Sequence, residues 1–376
     1  SALLWSSGNE TLGVVVFNLD DGGYTVLASA VAMVTVVVIV AIMGLTAALA
    51  RFLSEAAGID AAAPSRAAAL AKADLCTQVV GEFAKLQGSM GRIYARLDGE
   101  DEAVCEAIFE HYLPRGAGDL LPSSAPGAIC ALADKLDSLA ACFALGKVPS
   151  GSADPFALRR AAIGVLHILH EHRMGLQLPA LVDAALEGIP AAALVAPRDQ
   201  IRTQLLEFFR GRLKSLLVSE GQATDLAEAA LAAGFADIPD LRERLTALGA
   251  LRGSDGFADL MVSFKRMSNI LRKAGDELAS ASALQVPLLQ EPAERALHER
   301  FCAVQSGAEE AISRGDYGAA LAQMGSLRSP LADFFDDVLV FADEPSIRTN
   351  RLTLLRSIGG AFARIADFAA ISTEGP

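Results

Sequence analysis

The chain has 376 residues, of which 52% are hydrophobic, and its formal net charge is −13 at pH 7. This length allows two or three domains, and the apolar share allows large buried cores. The mixture of Ala, Leu, Glu and Arg favours helices and strand-type alternation is scarce, so the sequence predicts an all-α fold. The acidic balance argues against broad, non-specific binding of nucleic acids and leaves a local basic face as the route to RNA binding.

An apolar stretch covers residues 26–43, and no charged side chain occurs between Asp21 and Arg51. A run of about 18 apolar residues is long enough for a transmembrane helix, so a membrane-anchored helical interaction protein is one alternative. The stretch lacks the basic flank and the position of a signal peptide. We favour a buried helix, or a short strand at residues 36–40, where β-branched side chains cluster.

Apolar periodicity predicts helices in the first half of the chain at residues 47–57, 65–81, 128–145, 155–172, 176–198 and 201–219. Gly58 is expected to end the first helix, and Pro64 to lie at the start of the second. Asp154 is expected to be an N-cap, with Pro155 at the first helical position. Pro190 should interrupt the helix at residues 176–198.

Further helices are predicted in the second half, as two short ones within residues 223–249 and longer ones at 257–274, 292–313, 316–340 with breaks, and 347–370. The last carries an apolar stripe made of Leu355, Ile358, Phe362 and Ile365. Gly359 and Gly360 in its middle predict a kink or a close contact between helices.

The helix at residues 257–274 is strongly amphipathic, with Leu260, Phe264, Met267 and Leu271 on one side. The opposite side carries Lys265, Arg266, Asn269, Arg272 and Lys273. Lys and Arg can neutralise phosphates, and Asn can reach a base edge or a 2′-hydroxyl, so this side is a candidate RNA contact. The alternative is a solvated helix face without a ligand.

Histidines and cysteines give weaker signals. His167, His170 and His172 suggest zinc, but His172 points away from the face that the other two share on a helix. We expect packed or solvated histidines there and no metal. Five cysteines without a Cys-x-x-Cys pair fit reduced thiols in a cytoplasm, and we expect small buried side chains at Cys76, Cys105, Cys130, Cys142 and Cys302.

Motifs between residues 72 and 162 carry a family resemblance in their order and spacing. They include Lys72-Ala73-Asp74-Leu75, Gly81-Glu82-Phe83, Met90-Gly91-Arg92, His111-Tyr112-Leu113-Pro114-Arg115, Asp134-Lys135 and Asp154-Pro155-Phe156. This set resembles the β subunit of the heterotetrameric bacterial glycyl-tRNA synthetase. With Lys265-Arg266-x-x-Asn269-Ile270 and Asn350-Arg351-Leu352, residues 257–370 resemble the anticodon-binding domain of that subunit.

The resemblance implies the C-terminal half of such a subunit. It divides the chain into a divergent apolar segment at residues 1–44, an HD-like helical domain at 45–198, a helical linker at 199–250 and an anticodon-binding helical bundle at 251–376. The tRNA-binding candidates that it implies are Lys265, Arg266, Asn269, Arg272, Lys273, Arg348, Asn350 and Arg351.

The HD superfamily binds a metal ion with a His, a His-Asp pair and a distant Asp. The resemblance places Ala73 where the His of the pair would stand, with Asp74 after it and Asp134 as the distant acid. Two aspartates are too few ligands, so we expect them to cap helices or to pair with Lys72 and Lys135. An HD-type metal-dependent phosphohydrolase remains an alternative function.

The resemblance also implies a cellular role. The chain would position tRNA-Gly in the cytoplasm, within an α2β2 glycine–tRNA ligase. It contains no Walker A loop, no dinucleotide-binding glycine motif and no nucleophile elbow. We therefore expect no catalytic residue and no cofactor in this chain, and expect ATP and Mg at a separate catalytic α subunit.

Overall fold

The computed structural model describes residues 23, 25–149, 151, 154–275 and 283–372, without the side chains of residues 28, 31, 32 and 34–42. Over these residues the regular structure consists of α-helices and short 3₁₀ turns, and no strand occurs among them, which confirms the all-α prediction. The chain divides into two compact units. The first comprises Ser1–Leu213 and Ala236–Ile238, and the second comprises Lys214–Phe235 and Pro239–Pro376.

The first unit is built around one central helix, α6. Its helices are α1 (Thr25–Ala56), α2 (Ala62–Leu70), α3 (Gln78–Glu82), α4 (Ser89–Leu97), α5 (Glu102–Glu110), α6 (Ala125–Ala144), α7 (Leu158–His172), α8 (Leu178–Glu187) and the first part of α9 (Arg198–Ser219). Helix α6 packs against α1, α2, α5, α7 and α8. Small Ala side chains alternate there with fully buried Leu132, Leu136, Leu139 and Phe143, which lets neighbours approach from several sides.

The start of α6 is fixed by a buried carboxylate. Glu110, at the end of α5, accepts hydrogen bonds from the backbone and hydroxyl groups of Ser123 and Ser124 at 2.5–3.2 Å. Burial opposes the ionisation of Glu110, but these hydrogen bonds outweigh it and lower its pKa. Ser124 caps α6 by accepting from the Gly127 amide at 3.0 Å.

The apolar N-terminal stretch belongs to α1. The backbone at residues 36–40 is helical, so the strand alternative is wrong. Most side chains of residues 26–43, on which the membrane-anchor alternative rests, lie outside the described residues. Within the described part of the chain, no helix is long and apolar enough to cross a membrane.

The predicted helix at residues 65–81 is instead three pieces. Helix α2 ends at Leu70, a 3₁₀ turn covers Ala73–Cys76, and α3 follows. The break occurs because the carboxylate of Asp74 turns toward the start of α4 and bonds to backbone amides there. Pro64 lies in the first turn of α2, where a missing N–H is tolerated.

The start of α7 also differs from the prediction, because Pro155 lies outside the helix. Ala157 has a left-handed backbone conformation, with φ of 55°, and α7 begins at Leu158. Asp154 still caps this helix, since its two carboxylate oxygens accept from the amides of Leu158 at 2.8 Å and Arg159 at 3.0 Å.

The second unit is a helical bundle. It contains the end of α9, then α10 (Thr224–Ala232), α11 (Ile238–Arg252), α12 (Phe257–Ala274), α13 (Pro292–Ser313), α14 (Tyr317–Gly325), α15 (Arg328–Asp337) and α16 (Pro345–Ala363), followed by a 3₁₀ turn at Phe368–Ala370. Helix α13 packs against α14, α15 and α16, and α12 packs against α15 and α16. The bounds predicted for α12 and α13 are confirmed.

Three aromatic rings form the centre of the contact between α12 and α16. The centroid of Phe264 lies 4.3 Å from that of Phe362 and 5.1 Å from that of Phe368. The predicted apolar stripe of α16 is buried. Gly359 faces α12, where a Cβ would lie 3.4 Å from the terminal methyl of Met267, in agreement with the predicted close helix contact.

A buried guanidinium joins the early and late segments of this unit. Arg244 of α11 donates to the carbonyls of Ala230 at 2.9 Å, Gly234 at 2.6 Å and Ile365 at 3.1 Å. Its Nε lies 2.9 Å from Asp240. Four partners satisfy a side chain that is 4% exposed, as a buried charge requires.

All five cysteines are free thiols. Cys105, Cys130 and Cys142 are buried as predicted, whereas Cys76 and Cys302 are exposed, so the prediction of burial is wrong for these two.

Candidate nucleic-acid interface and buried ionic cluster

Helix α12 presents a basic face on the surface of the second unit. Its apolar side, including Leu260, Phe264 and Met267, is buried in the bundle. The candidate side chains lie on the other side, where Arg266, Asn269, Arg272 and Lys273 are exposed and Lys265 is half-buried. We call these five residues the α12 basic face.

Individual contacts hold parts of the α12 basic face in place. Arg266 donates to the carbonyl of Phe335 at 2.8 Å, lies 4.8 Å from the centroid of its ring and is 3.9 Å from the carboxylate of Asp336. About half of the Arg266 side chain is nevertheless exposed. The weak ion pair and the ring therefore orient this guanidinium without burying it.

Two further cations of the α12 basic face, Arg272 and Lys273, lie in the last turn of the helix. Arg272 donates to the side-chain oxygen of Asn269, and the Lys273 ammonium lies 5.0 Å from the centroid of Phe341. Cations in the last turn of a helix are also favoured by the helix dipole, which is a structural reason for basic residues there. Lys265, about two turns earlier, forms no ion pair within the described part of the chain.

Three other candidates are placed differently. Asn350 is 5% exposed and exchanges hydrogen bonds with the backbone of Gln285 at 2.8 and 3.0 Å. Arg351 is 6% exposed, pairs with the buried Glu294 and donates to the carbonyl of Leu339 at 2.8 Å. Both side chains stabilise the bundle, so we correct the assignment of these two residues from RNA contact to internal support.

Arg348 is half-buried and precedes Asn350 by two residues, and its Nη1 donates to the carbonyl of Ala342 at 3.2 Å. The two parts of the predicted interface therefore differ in their exposure to solvent. The α12 basic face is on the surface, whereas residues 350 and 351 lie in the core of the same unit.

A buried ionic cluster lies in the first unit, where α2, α5 and α6 meet. The Lys72 ammonium is 3.0 Å from the Oδ1 of Asp134 and 3.0 Å from the Nε2 of His111. It also lies 4.3 Å from the centroid of the Tyr112 ring. The prediction that Asp134 pairs with a neighbouring lysine is confirmed, with Lys72 as the partner.

The environment of the ionic cluster shifts its pKa values strongly. Burial, together with the charge of Lys72, lowers the pKa of His111 to about 3, so this imidazole is neutral at physiological pH. Burial opposes ionisation of Asp134, but the nearby positive charges, first that of Lys72, outweigh it and lower its pKa. Burial lowers the pKa of Lys135 to about 8. Its ammonium donates to the carbonyl oxygens of His111 and Leu113.

The two residues placed at the HD pair are elsewhere. Ala73 is exposed, and Asp74 is buried with its Oδ2 accepting from the amides of Gly88 at 2.6 Å and Gly91 at 3.1 Å. Asp74 therefore caps α4, which is one of the two roles expected for it from the sequence. Burial raises the pKa of its carboxyl group, although these two amides oppose the shift.

His111 is a member of the ionic cluster that the sequence analysis did not single out. It lies within a motif that carries the family resemblance, but nothing local in the sequence reveals that its ring meets Lys72 from 39 residues away. His172 bonds to the carbonyl of Pro122 at 2.9 Å. Among the described residues, no group of three or more His, Cys, Asp and Glu side chains is arranged to hold a metal ion.

A cleft of about 800 Å³ opens beside the ionic cluster in the same unit. Its lining includes Lys85, Arg115, Lys135 and Arg160, with Asp134 as an acidic member. In a chain of net charge −13, this local excess of positive charge suits an anionic ligand rather than a cationic one.

Comparisons with known proteins agree with this architecture. Residues 260–372, which include most of α12 and all of α13 through α16, match the family described as DALR anticodon binding domain. The second unit thus resembles helical anticodon-binding domains. Residues 40–232 match the family described as glycyl-tRNA synthetase beta subunit, and this chain belongs to that family.

Individual relatives carry the same description. The chain is 45% identical over 332 residues to the glycine–tRNA ligase beta subunit of Myxococcus xanthus, an alignment that covers 87% of this chain and 47% of the relative. It is 43% identical over 310 residues to that of Syntrophus aciditrophicus, covering 82% and 44% of the two chains. The chain therefore spans about half the length of the curated relatives that it matches.

Proposed function

We propose that this chain is the tRNA-binding part of a glycine–tRNA ligase β subunit and that the α12 basic face contacts the anticodon arm of tRNA-Gly. The observation that carries the proposal is the position of this face. It lies on the surface of the unit that matches an anticodon-binding family, and it offers four cations and an amide along one side of a helix.

The chemistry of the α12 basic face suits an RNA stem-loop. Guanidinium and ammonium groups neutralise phosphates, and the release of counterions makes such binding salt-dependent. Asn269 offers an amide that can bond to a base edge or a 2′-hydroxyl of an unstacked loop. Arg266 is already oriented by Phe335 and Asp336, so less side-chain entropy is lost when a phosphate binds to it.

Aminoacylation itself is assigned to another chain. We propose that a catalytic α subunit binds ATP and Mg, forms glycyl-adenylate and transfers glycine, while this chain positions the tRNA and binds no cofactor. The assembly would be an α2β2 heterotetramer in the cytoplasm. The absence of nucleotide-binding motifs from the sequence supports this division of labour.

The proposal is tested by equilibrium binding of fluorescent tRNA-Gly to this chain across a salt series, with a non-cognate tRNA as competitor. The variant Lys265→Ala with Arg266→Ala should bind roughly tenfold more weakly or worse, and its salt slope should fall by about one unit for each lost phosphate contact.

A matched control removes two other exposed cations of the same unit, Arg300 and Arg314, both on or beside α13. The change Arg300→Ala with Arg314→Ala alters net charge equally and should leave affinity within about twofold. If both double variants weaken binding equally, the interaction is general electrostatics, and the assignment to α12 fails.

A further inference from the structure

The side chains around the Lys72 ammonium resemble the ligand shell of a metal ion. An imidazole nitrogen of His111 and a carboxylate oxygen of Asp134 each lie 3.0 Å from Nζ. Imidazole nitrogen and carboxylate oxygen are typical ligands of divalent metals in proteins. Here both are directed at the ammonium of Lys72, a residue that is 8% exposed.

The orientation of His111 supports this comparison. Its Nδ1 lies 2.5 Å from the carbonyl oxygen of Ile108, and a carbonyl can only accept, so Nδ1 carries the proton. The lone pair of Nε2 therefore faces Lys72. Metal-binding histidines are held in the same way, because donation from one ring nitrogen to a backbone carbonyl fixes the tautomer of the other.

The order of these residues along the chain allows them to be aligned with the four ligand positions of an HD-type site, and we call this alignment the register. An HD-type site is formed by a lone His, an adjacent His-Asp pair and a distant Asp. The groups that meet in this unit are Lys72, the adjacent His111 and Tyr112, and then Asp134. In this register, Lys72 stands at the lone His and Tyr112 at the Asp of the pair, while His111 and Asp134 match the pattern.

We propose that the ammonium of Lys72 replaces the divalent metal ion of an HD-type site, so that the remaining imidazole and carboxylate hold a fixed protein cation in its place. A second cation would have to approach within a few ångströms of this ammonium, where repulsion is strong in a partly buried site. The Lys72 ammonium consequently balances the charge of the Asp134 carboxylate without a metal ion. Without a metal ion, the cluster would also lack the metal-bound water that hydrolysis at an HD-type site requires.

Two spaces adjoin the ionic cluster. A cavity of about 20 Å³, close to what one water molecule needs, is lined by Lys72, His111 and Asp134. Asp134 and Ser138 line both this cavity and the adjoining cleft of about 800 Å³. The former metal position would therefore lie at the floor of the basic cleft.

The test is to restore the missing ligands. Changing Lys72→His together with Tyr112→Asp recreates all four HD-type ligands. The native chain and the double variant are titrated with Co²⁺ and Mn²⁺, with calorimetry and the visible absorption of Co²⁺ as readouts. The double variant should bind one ion per chain, roughly 100-fold more tightly than the native chain binds either metal.

Two controls decide whether the register is right. Adding His111→Ala to the double variant should abolish the gained site, because the retained imidazole is lost. The single change Ala73→His, which follows the other possible register, should gain no affinity because residue 73 is exposed. Gain of metal by Ala73→His, or tight binding by the native chain, would overturn the proposal.

Folding of the variants is checked by circular dichroism. If the double variant does not fold, Lys72→His alone decides the question, since it adds a third ligand to His111 and Asp134 and removes the ammonium. It should bind Co²⁺ at least about tenfold more tightly than the native chain. A folded variant that binds Co²⁺ no better than the native chain contradicts the proposal.

Discussion

Arg351 donates its Nε proton to the carboxylate of Glu294 inside the C-terminal bundle, where Glu294 is completely buried and Arg351 is 6% exposed. The second oxygen of Glu294 accepts from the amides of Gln290 at 2.5 Å and Glu291 at 3.0 Å. This carboxylate therefore links the start of α13 to α16, and both charges are fully satisfied.

Replacement of Arg351 by Met should destabilise the second unit by about 3–5 kcal/mol, because it leaves the charge of Glu294 buried without its partner. Denaturant unfolding followed by circular dichroism measures the loss. Arg314→Met removes an exposed ion pair with Glu310 and should cost less than about 0.5 kcal/mol. Equal losses of unfolding free energy for the two changes would mean that the buried pair is no more important for stability than an exposed one.

Replacement of Lys72 by Met keeps most of the side-chain volume but removes the ammonium between His111 and Asp134. We expect a loss of about 2–3 kcal/mol, less than the roughly 3–5 kcal/mol of a fully buried pair, because Asp134 retains some exposure. The exposed Lys85→Met in the same unit should stay within about 0.5 kcal/mol of the native chain. Thermal unfolding of both variants checks this, and a stable Lys72→Met protein would show that the ionic cluster is not needed for folding.

Asp137 should make stability depend on pH. Burial, with a contribution from the nearby Asp134, raises the pKa of Asp137 from 3.8 to about 6. The folded chain holds this proton more tightly than the unfolded chain does, so the favourable contribution is complete below pH 3.8 and is lost as the pH rises through about 6.

The change Asp137→Asn should therefore stabilise the chain more at pH 7.5 than at pH 4.5, with a difference of about 1–3 kcal/mol. Thermal midpoints of the two proteins between pH 4 and pH 8 measure this difference. The change Asp98→Asn at an exposed position serves as the control, and its thermal midpoints should follow those of the native chain in parallel at every pH. Parallel curves for Asp137→Asn would show that its carboxyl group titrates normally.

Gly127 is a position where no side chain fits. A Cβ at this residue would lie 1.9 Å from the Oε2 of Glu110, so Gly127→Ala should displace the carboxylate that holds the capping residue Ser124. We expect a loss of more than about 2 kcal/mol. Gly44, in the middle of α1 with no atom within 4 Å of an added Cβ, is the matched control. Gly44→Ala should be neutral or stabilising by about 0.5–1 kcal/mol.

Periodicity predicted the amphipathic helices well, because helices such as α12 and α13 have a clear apolar stripe and begin and end at local signals. It failed at residues 65–81, where Asp74 bonds to amides 14 and 17 residues later. It also failed at Asp154, whose capping role was foreseen but whose distance from the helix start depends on the left-handed Ala157. Both failures arise from polar contacts that local propensity does not encode.

The candidate site likewise has a part that could be predicted from the sequence and a part that could not. The α12 basic face follows from the helical spacing of its charges, so its exposure could be predicted. The burial of Asn350 and Arg351 depends on Gln285 and Glu294, which lie more than fifty residues away in sequence. The pairing of Lys72 with His111 is equally non-local, and for that reason the ionic cluster became visible only in three dimensions.

The central claim is that α12 contacts the anticodon arm, and a footprint of tRNA-Gly bound to this chain tests it most directly. Hydroxyl-radical cleavage of end-labelled tRNA should show protection of the anticodon stem and loop, and the Lys265→Ala with Arg266→Ala variant should lose that protection selectively. Protection confined to the acceptor end, or an anticodon footprint unchanged in the variant, would contradict the account.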